Sequence, residues 1–263
     1  MTPASHVLVI VPTYNERESL PGALARLAAA VPDADVLVVD DGSPDGTGDL
    51  TEQLSEADAT ERGRKAIHLM RRSGKLGLGT AYIAGFGWAL ERGYDAVVEM
   101  DADGSHRAED LPALLARSGD AELVIGSRWV PGGRVVNWPW RREFLSRGAN
   151  TYCRIAMGIP VKDATAGFRV YRTDLLRKIA LDEVDSHGYG FQVDMTWRAL
   201  KAGARVIEVP ITFVEREQGV SKMSSGIILE ALVNVAVWGT RERSRQVAGA
   251  FGRLLGRRSP AAR

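Results

Sequence analysis

Short apolar runs, each ending in polar side chains and handing over to a helix-periodic segment, constrain this chain more than any other feature. Residues 6–11 (HVLVIV) read as a strand buried on both faces and stop at Pro12-Thr13-Tyr14-Asn15-Glu16. Residues 17–30 follow, with Leu20, Leu24, Leu27 and Val31 on one helical face. A second strand, 36–39, ends in Asp40-Asp41-Gly42-Ser43-Pro44-Asp45-Gly46. A third, 66–70, precedes a helix at 79–92 that turns Tyr82, Ile83, Phe86 and Leu90 inward. A central strand at 96–100 stops at Asp101-Ala102-Asp103; a weaker helix at 109–117 and a strand at 123–125 follow. This alternation predicts an α/β fold, an open, mostly parallel sheet with helices on both faces.

The second half is less regular. Residues 130–137 are glycine-rich and loop-like, and Trp138-Pro139-Trp140-Arg141-Arg142 opens a helix running to about residue 157. A strand is expected at 168–171 and a helix at 191–202. A long strand at 206–214 contains Pro210, which places it at a sheet edge or a bulge. A helix at 224–240 and an arginine-rich tail from Arg241 complete the chain.

In open α/β sheets ligands sit beyond the carboxyl ends of the strands. Here those ends are Tyr14-Asn15-Glu16, Asp40-Asp41-Gly42-Ser43, Arg71-Arg72-Ser73-Gly74-Lys75, Asp101-Ala102-Asp103 and Gly126-Ser127-Arg128. One polar strand end is a turn; five on one edge make a site. Asp101 and Asp103, two apart on an extended chain end, point the same way and repel unless a cation lies between them. Hard ions such as Mg²⁺ or Mn²⁺ take carboxylate oxygens and share their sphere with substrate phosphates. Gly104 lets the chain turn, bringing Ser105 and His106 within reach. The plain alternative is a solvated acidic turn.

Composition removes other classes. Of 263 residues, 45% are hydrophobic and 25% charged, and the net charge of +1 offers no global field for nucleic acid. The single cysteine, Cys153, excludes a disulfide framework or cysteine-cluster metal site and fits a reducing compartment. No signal peptide is read at the start of the chain. No stretch reaches the roughly 20 apolar residues of a membrane span. Gly74-Lys75-Leu76-Gly77-Leu78-Gly79-Thr80 lacks the order of a P-loop, the first strand–helix turn lacks Gly-x-Gly-x-x-Gly, and no Gly-x-Ser-x-Gly elbow is present.

Val11-Pro12-Thr13-Tyr14-Asn15-Glu16, Val39-Asp40-Asp41-Gly42-Ser43-Pro44-Asp45-Gly46-Thr47, Gly77-Leu78-Gly79-Thr80-Ala81-Tyr82, Met100-Asp101-Ala102-Asp103 and Gly126-Ser127-Arg128 occur in that order. Together they resemble the family 2 inverting glycosyltransferases of the GT-A fold, a Rossmann-like architecture. Within that family the chain resembles the polyprenyl (dolichyl) phosphate mannose synthases, from residue 6 to about residue 222.

The resemblance implies roles. Pro12, Tyr14 and Glu16 would line the nucleobase and ribose pocket, and Asp41 would read the base beside Asp40. Lys75 and Arg72 would lie near the diphosphate. Asp101, Ala102 and Asp103 would meet ribose, diphosphate and metal. The metal set is Asp101, Asp103 and Ser105, Ser105 standing where related synthases often carry Gln, with His106 or water as alternatives for completing the sphere. Asp103, Arg128, Arg216 and Lys222 would carry catalysis, the cations neutralising the leaving diphosphate. Arg142, Arg147, Asp163 and Gln192 would face the acceptor and sugar, with Asp194 a weaker candidate there and Asp163 either sugar-binding or structural.

The implied reaction is mannosyl transfer from GDP-mannose to a polyprenyl monophosphate, with inversion and with Mg²⁺ or Mn²⁺. An acceptor phosphate with a second pKa of about 6 is mostly dianionic at neutral pH and needs positioning more than a general base. The expected organisation is a catalytic domain at 1–223 and an amphipathic, basic membrane-associating segment at 224–263. Trp138, Trp140, Arg141 and Arg142 have the composition of an interfacial segment, as does the tail from Arg241. The expected location is peripheral, on the cytoplasmic face of a membrane; recruitment by a membrane-bound partner protein is neither supported nor excluded. Two other readings stay open: a glucosyl or N-acetylglucosaminyl phosphate-lipid synthase using a UDP-sugar, and a non-catalytic nucleotide-binding module.

Overall fold

The structure, a computed structural model, describes residues 2–184 and 189–215. Arg216, Lys222, the helix expected at 224–240, the arginine tail and the 223/224 domain boundary lie outside the described residues. The first half runs β1 (Val7–Thr13), α1 (Leu20–Ala30), β2 (Asp35–Asp40), α2 (Thr47–Arg62), β3 (Ile67–Arg71), α3 (Leu78–Glu91) and β4 (Ala96–Glu99). Then come α4 (Leu111–Ala116), β5 (Leu123–Ser127), β6 (Arg134–Val136), α5 (Trp140–Met157), β7 (Arg169–Arg172) and α6 (Thr173–Leu176). The described chain closes with α7 (Tyr189–Lys201), β8 (Val206–Pro210) and β9 (Thr212–Val214).

Seven strands form one sheet in the order β3-β2-β1-β4-β7-β5-β8. All neighbours are parallel except β7, which runs antiparallel to both β4 and β5. The carboxyl ends of β1 to β5 therefore share one edge. Strand periodicity divides the core in two. Leu8, Ile10, Leu37 and Val39 pack with Tyr82 and Phe86 of α3 and with Phe191 and Met195 of α7. Their alternates Val7, Val9, Val36 and Val38 pack with Leu20, Leu24 and Leu27 of α1 and with Leu111 and Leu114 of α4. Helices thus cover both faces. None in the described residues is long and apolar enough to cross a membrane.

Besides β6, which lies in the stretch read as a loop, and the single turn of α6, three elements depart from the sequence reading. The strand expected over 206–214 is two strands: β8 pairs with β5 at the sheet edge, and β9 pairs with β6 in a separate two-stranded ribbon. Pro210 is the last residue of β8, opposite Ser127, and the buried Ile211 turns the chain between them. The second-half strand, shifted by one residue to β7, inserts antiparallel between β4 and β5. Helix α2 fills a stretch with no apolar periodicity; its buried positions are Thr47, Gly48, Thr51 and Ser55. Thr51 and Ser55 satisfy themselves by donating to the carbonyls of Thr47 and Ile67.

Candidate active site

The end of β2 separates the two adjacent aspartates. Asp40 is buried and accepts hydrogen bonds from the Thr13 hydroxyl (3.1 Å) and from the Ser43 N–H (3.1 Å) and hydroxyl (2.5 Å), so it ties β1 to the turn after β2. Asp41 faces Arg72 (2.8 Å) and accepts the Leu76 N–H (3.2 Å). Burial raises the Asp41 carboxyl above the usual range against the pull of Arg72. Arg72 also donates to Thr80 Oγ1 (2.7 Å), so it links β2, the following loop and α3. Gly42 adopts φ +70°, and a side chain there would press on Gly74 Cα at 3.3 Å. That glycine lets the β2 and β3 turns approach closely. Beside them the Lys75 ammonium lies 4.8 Å from the centre of the Tyr14 ring. Glu16 accepts the Ser19 hydroxyl (2.7 Å), and its N–H donates to Thr47. Pro12 is in register with Val39.

The acidic turn follows β4. The Tyr82 hydroxyl donates to Asp101 (3.3 Å), and burial with this carboxylate nearby pushes the phenol far above its ordinary pKa. Asp103 accepts the Ser105 N–H (3.0 Å) and is largely buried, as is Ala102. The buried Ser105 hydroxyl has no hydrogen-bond partner among the described residues. Those residues gather no group of three His, Cys, Asp or Glu side chains that could hold an ion. Two carboxylates and an orphaned hydroxyl fit Mg²⁺ or Mn²⁺ held partly by phosphate oxygens, the usual arrangement when protein ligands are few.

Arg128 and Asp163 are placed together. Arg128, 5% exposed, donates from its backbone N–H (2.9 Å), Nε (2.8 Å) and Nη2 (2.7 Å) to Asp163, which is fully buried. Thr165 and Asn150 complete the cluster. The guanidinium also lies about 5.5 Å from the ring centres of Trp129, Trp138 and Phe213. Arg142 stacks on Trp138 (4.1 Å) and pairs with Glu215; Arg147 stacks on Trp129 (4.1 Å) and pairs with Glu143 (2.9 Å). Asp194 accepts from Arg198.

Two buried groups have no individual role in the sequence reading. Glu99, the last residue of β4, accepts from Gln192 Nε2 (2.9 Å). Full burial pushes its carboxyl up to about 8. Arg169, opposite it in β7, spends its guanidinium on the carbonyls of Ala164, Ala166 and Gln192 and the hydroxyls of Tyr171 and Thr196. An acid inside an apolar run was the available signal for Glu99; the Gly167-Phe168-Arg169 stretch carried none for the burial of Arg169.

Residues 8–180 match the pattern described as "Glycosyl transferase family 2". A polyprenol monophosphomannose synthase of Mycolicibacterium smegmatis is 56% identical over 248 residues, covering 94% of this chain and 92% of that protein. An undecaprenyl-phosphate mannosyltransferase of Micrococcus luteus is 58% identical, covering 90% and 95%. Among solved structures, a glucosyl-3-phosphoglycerate synthase of Mycobacterium tuberculosis superposes with a TM-score of 0.61 at 18% identity, over 88% of this chain and 80% of that one. A Pyrobaculum calidifontis mannosyltransferase, solved with GDP-Man and Mn²⁺, superposes with a TM-score of 0.53 at 18% identity, over 96% and 78%. With the pattern covering most of the described fold and the carboxyl ends of β1 to β5 polar, the chain belongs to glycosyl transferase family 2 and is a glycosyltransferase.

Proposed function

We propose that this glycosyltransferase moves mannose from GDP-mannose to a polyprenyl monophosphate with inversion, at the cytoplasmic face of a membrane and with Mg²⁺ or Mn²⁺ bound. The observation that carries the reading is the near end-to-end similarity, at 56% and 58% identity, to two proteins named for polyprenyl-phosphate mannosylation. Tyr14, Glu16 and Asp41 would hold the nucleoside, Asp41 oriented by Arg72 and the Leu76 N–H. Lys75, exposed above Tyr14, would approach the diphosphate together with Arg216 and Lys222. Asp101 and Asp103 would hold the ion with the Ser105 hydroxyl at hand; when bound, it supplies positive charge against the leaving diphosphate. The acceptor phosphate, mostly dianionic, attacks C1 without a protein base. The protein's work is to align it and keep the donor fixed.

Membrane contact is supported by α5. Trp140 and Phe144, one helical turn apart, are 71% and 74% exposed, and Leu145 and Ile155 extend the apolar surface. Arg141 lies 5.6 Å from the Trp140 ring, and Arg147 and Arg154 are exposed on the same helix. Aromatic rings beside cations suit the headgroup layer. Trp138 is half-buried against Trp129 and Phe213, so of the two tryptophans read as interfacial only Trp140 projects.

A donor screen with a polyprenyl phosphate acceptor tests the reading. GDP-mannose should turn over with Mn²⁺ or Mg²⁺, and Asp103→Ala should lose nearly all transfer while remaining folded. Preference for UDP-glucose would overturn the donor assignment, and full activity in excess chelator would overturn the metal requirement.

A further inference from the structure

His106 follows the acidic turn and is almost fully buried. Its Nδ1 accepts the backbone N–H of Asp101 at 3.0 Å. An accepting Nδ1 carries no proton, so the neutral ring holds its proton on Nε2. The ring stacks on Phe168 (5.1 Å between centroids, 17° between planes) and meets Phe213 edge-on (5.4 Å, 78°). The backbone is held at the same place: His106 bridges Phe213 of β9, and the Val214 N–H donates to the Ser105 carbonyl (3.1 Å). Gly167 completes the seat, since a side chain there would reach 3.4 Å from His106 Cε1.

Asp101 and Asp103 stand beyond the last ladder position of β4, where no strand partner fixes the chain. The Met100 N–H still reaches the Ile10 carbonyl (3.2 Å), and the next N–H, that of Asp101, goes to the imidazole. The histidine continues the strand's hydrogen bonding by one residue at the point where the carboxylates begin. We infer that His106 is a positioning residue, an imidazole acceptor that fixes the Asp101 backbone and so aims the Asp101–Asp103 carboxylates at a divalent ion. It is not an ion ligand through Nδ1, because that atom is spent on the peptide. The inference rests on the proposed metal role of the acidic turn.

Two substitutions separate the hydrogen bond from the packing. His106→Phe keeps a ring between Phe168 and Phe213 and removes the acceptor. His106→Asn keeps an acceptor at about the position of Nδ1 and removes the ring. Binding of Mn²⁺ in the presence of GDP is measured by calorimetry on the full chain, alongside thermal melting and steady-state kinetics. With the acceptor gone, the partly buried Asp101 N–H loses its partner and the turn its anchor, so His106→Phe should weaken Mn²⁺ binding about tenfold, more than its fall in melting temperature accounts for. Its metal concentration for half-maximal activity should rise in step, with kcat recovering at high Mn²⁺. His106→Asn should bind Mn²⁺ within about threefold of the parent protein even if it melts earlier. Unchanged Mn²⁺ binding by His106→Phe, or equal losses in both variants that follow their melting temperatures, would overturn the inference. Asp103→Ala is the control: if it too binds Mn²⁺ normally, the metal role of the turn fails; if it alone loses binding, only the role of His106 fails.

Discussion

The Arg128–Asp163 pair yields the sharpest prediction, because the resemblance assigns Arg128 to the transferring groups while the structure packs it against a buried carboxylate. Three N–H groups of Arg128 converge on Asp163, which is 0% exposed. Replacing Arg128 with Met leaves the carboxylate in the core with the backbone N–H of residue 128 and, at 3.3 Å each, the Asn150 amide and the Thr165 hydroxyl. Breaking a buried pair from one side costs about 3–5 kcal/mol. Asp163→Asn strands the guanidinium instead, but Thr165 and three aromatic rings remain around it. Its loss should be smaller, about 2–3 kcal/mol, since each ring contributes about 0.5–1 kcal/mol. The double variant buries neither charge, so its loss should fall short of the sum by about 2 kcal/mol. Urea unfolding followed by tryptophan fluorescence on all four proteins closes the cycle. If Arg128→Met loses less than about 1 kcal/mol, the range of an exposed pair, yet abolishes transfer, then Arg128 serves ligand and the buried-pair argument is refuted.

Burial holds the Glu99 carboxyl up at about 8 against an ordinary 4.5, so the folded chain keeps a proton that the unfolded chain releases and stability declines as pH climbs between those values. Glu99→Gln should therefore gain in urea midpoint over the parent from about pH 5 to about pH 8, and a gap that instead widens toward acid pH would contradict this. At β2, Asp41→Asn should raise KM for GDP-mannose with kcat retained, whereas Asp40→Asn, whose amide oxygen can still accept the two hydroxyls but whose NH2 then faces the Ser43 N–H, should cost about 1–3 kcal/mol of stability with KM unmoved. Exchanged phenotypes would mean that the roles of the two aspartates are reversed. On α5, replacing Trp140 and Phe144 with Ser should weaken binding to anionic liposomes at low and high salt alike. Removing residues 241–263 should weaken it mainly at low salt, because at physiological salt charges are screened beyond about 8 Å. Transfer to a short, water-soluble prenyl phosphate should survive both changes, and its loss would show that α5 shapes the site itself.

The strands of the first half were legible because burial on both faces leaves a mark that needs no knowledge of neighbours: runs such as HVLVIV have few other uses. Helix α2 was not, because it meets the sheet through Thr47, Gly48, Thr51 and Ser55. Small hydroxyl residues that satisfy themselves on backbone carbonyls pack as closely as alanine and leave no apolar stripe to read. The antiparallel entry of β7 depends on pairing residues such as Val98 and Val170, far apart in sequence. Local pattern carries no information about strand order. Pro210 was a true signal of an interrupted ladder, but sequence could not show that the chain beyond it joins β6 in a ribbon of its own.

At the site, spacing selected residue types correctly placed at one sheet edge but could not tell a charge meant for ligand from one meant for another side chain. Asp40 and Asp41 are adjacent, yet one is committed to the hydroxyls and N–H groups of its own turn and the other to Arg72 and the next loop. Arg128 follows a strand end as a ligand-facing cation would, and its partner Asp163 lies 35 residues away. The same ambiguity held for His106: the sequence offers it as an alternative for completing a metal sphere, and the structure buries it with its acceptor nitrogen on the Asp101 peptide. In each case the deciding quantity is the cost of burying a polar group without a partner, which depends on what the fold brings opposite. In the proposed reading the carboxylates that meet substrate are therefore few, and a neighbour such as Asp40 is committed instead to the hydroxyls of Thr13 and Ser43 and the Ser43 N–H.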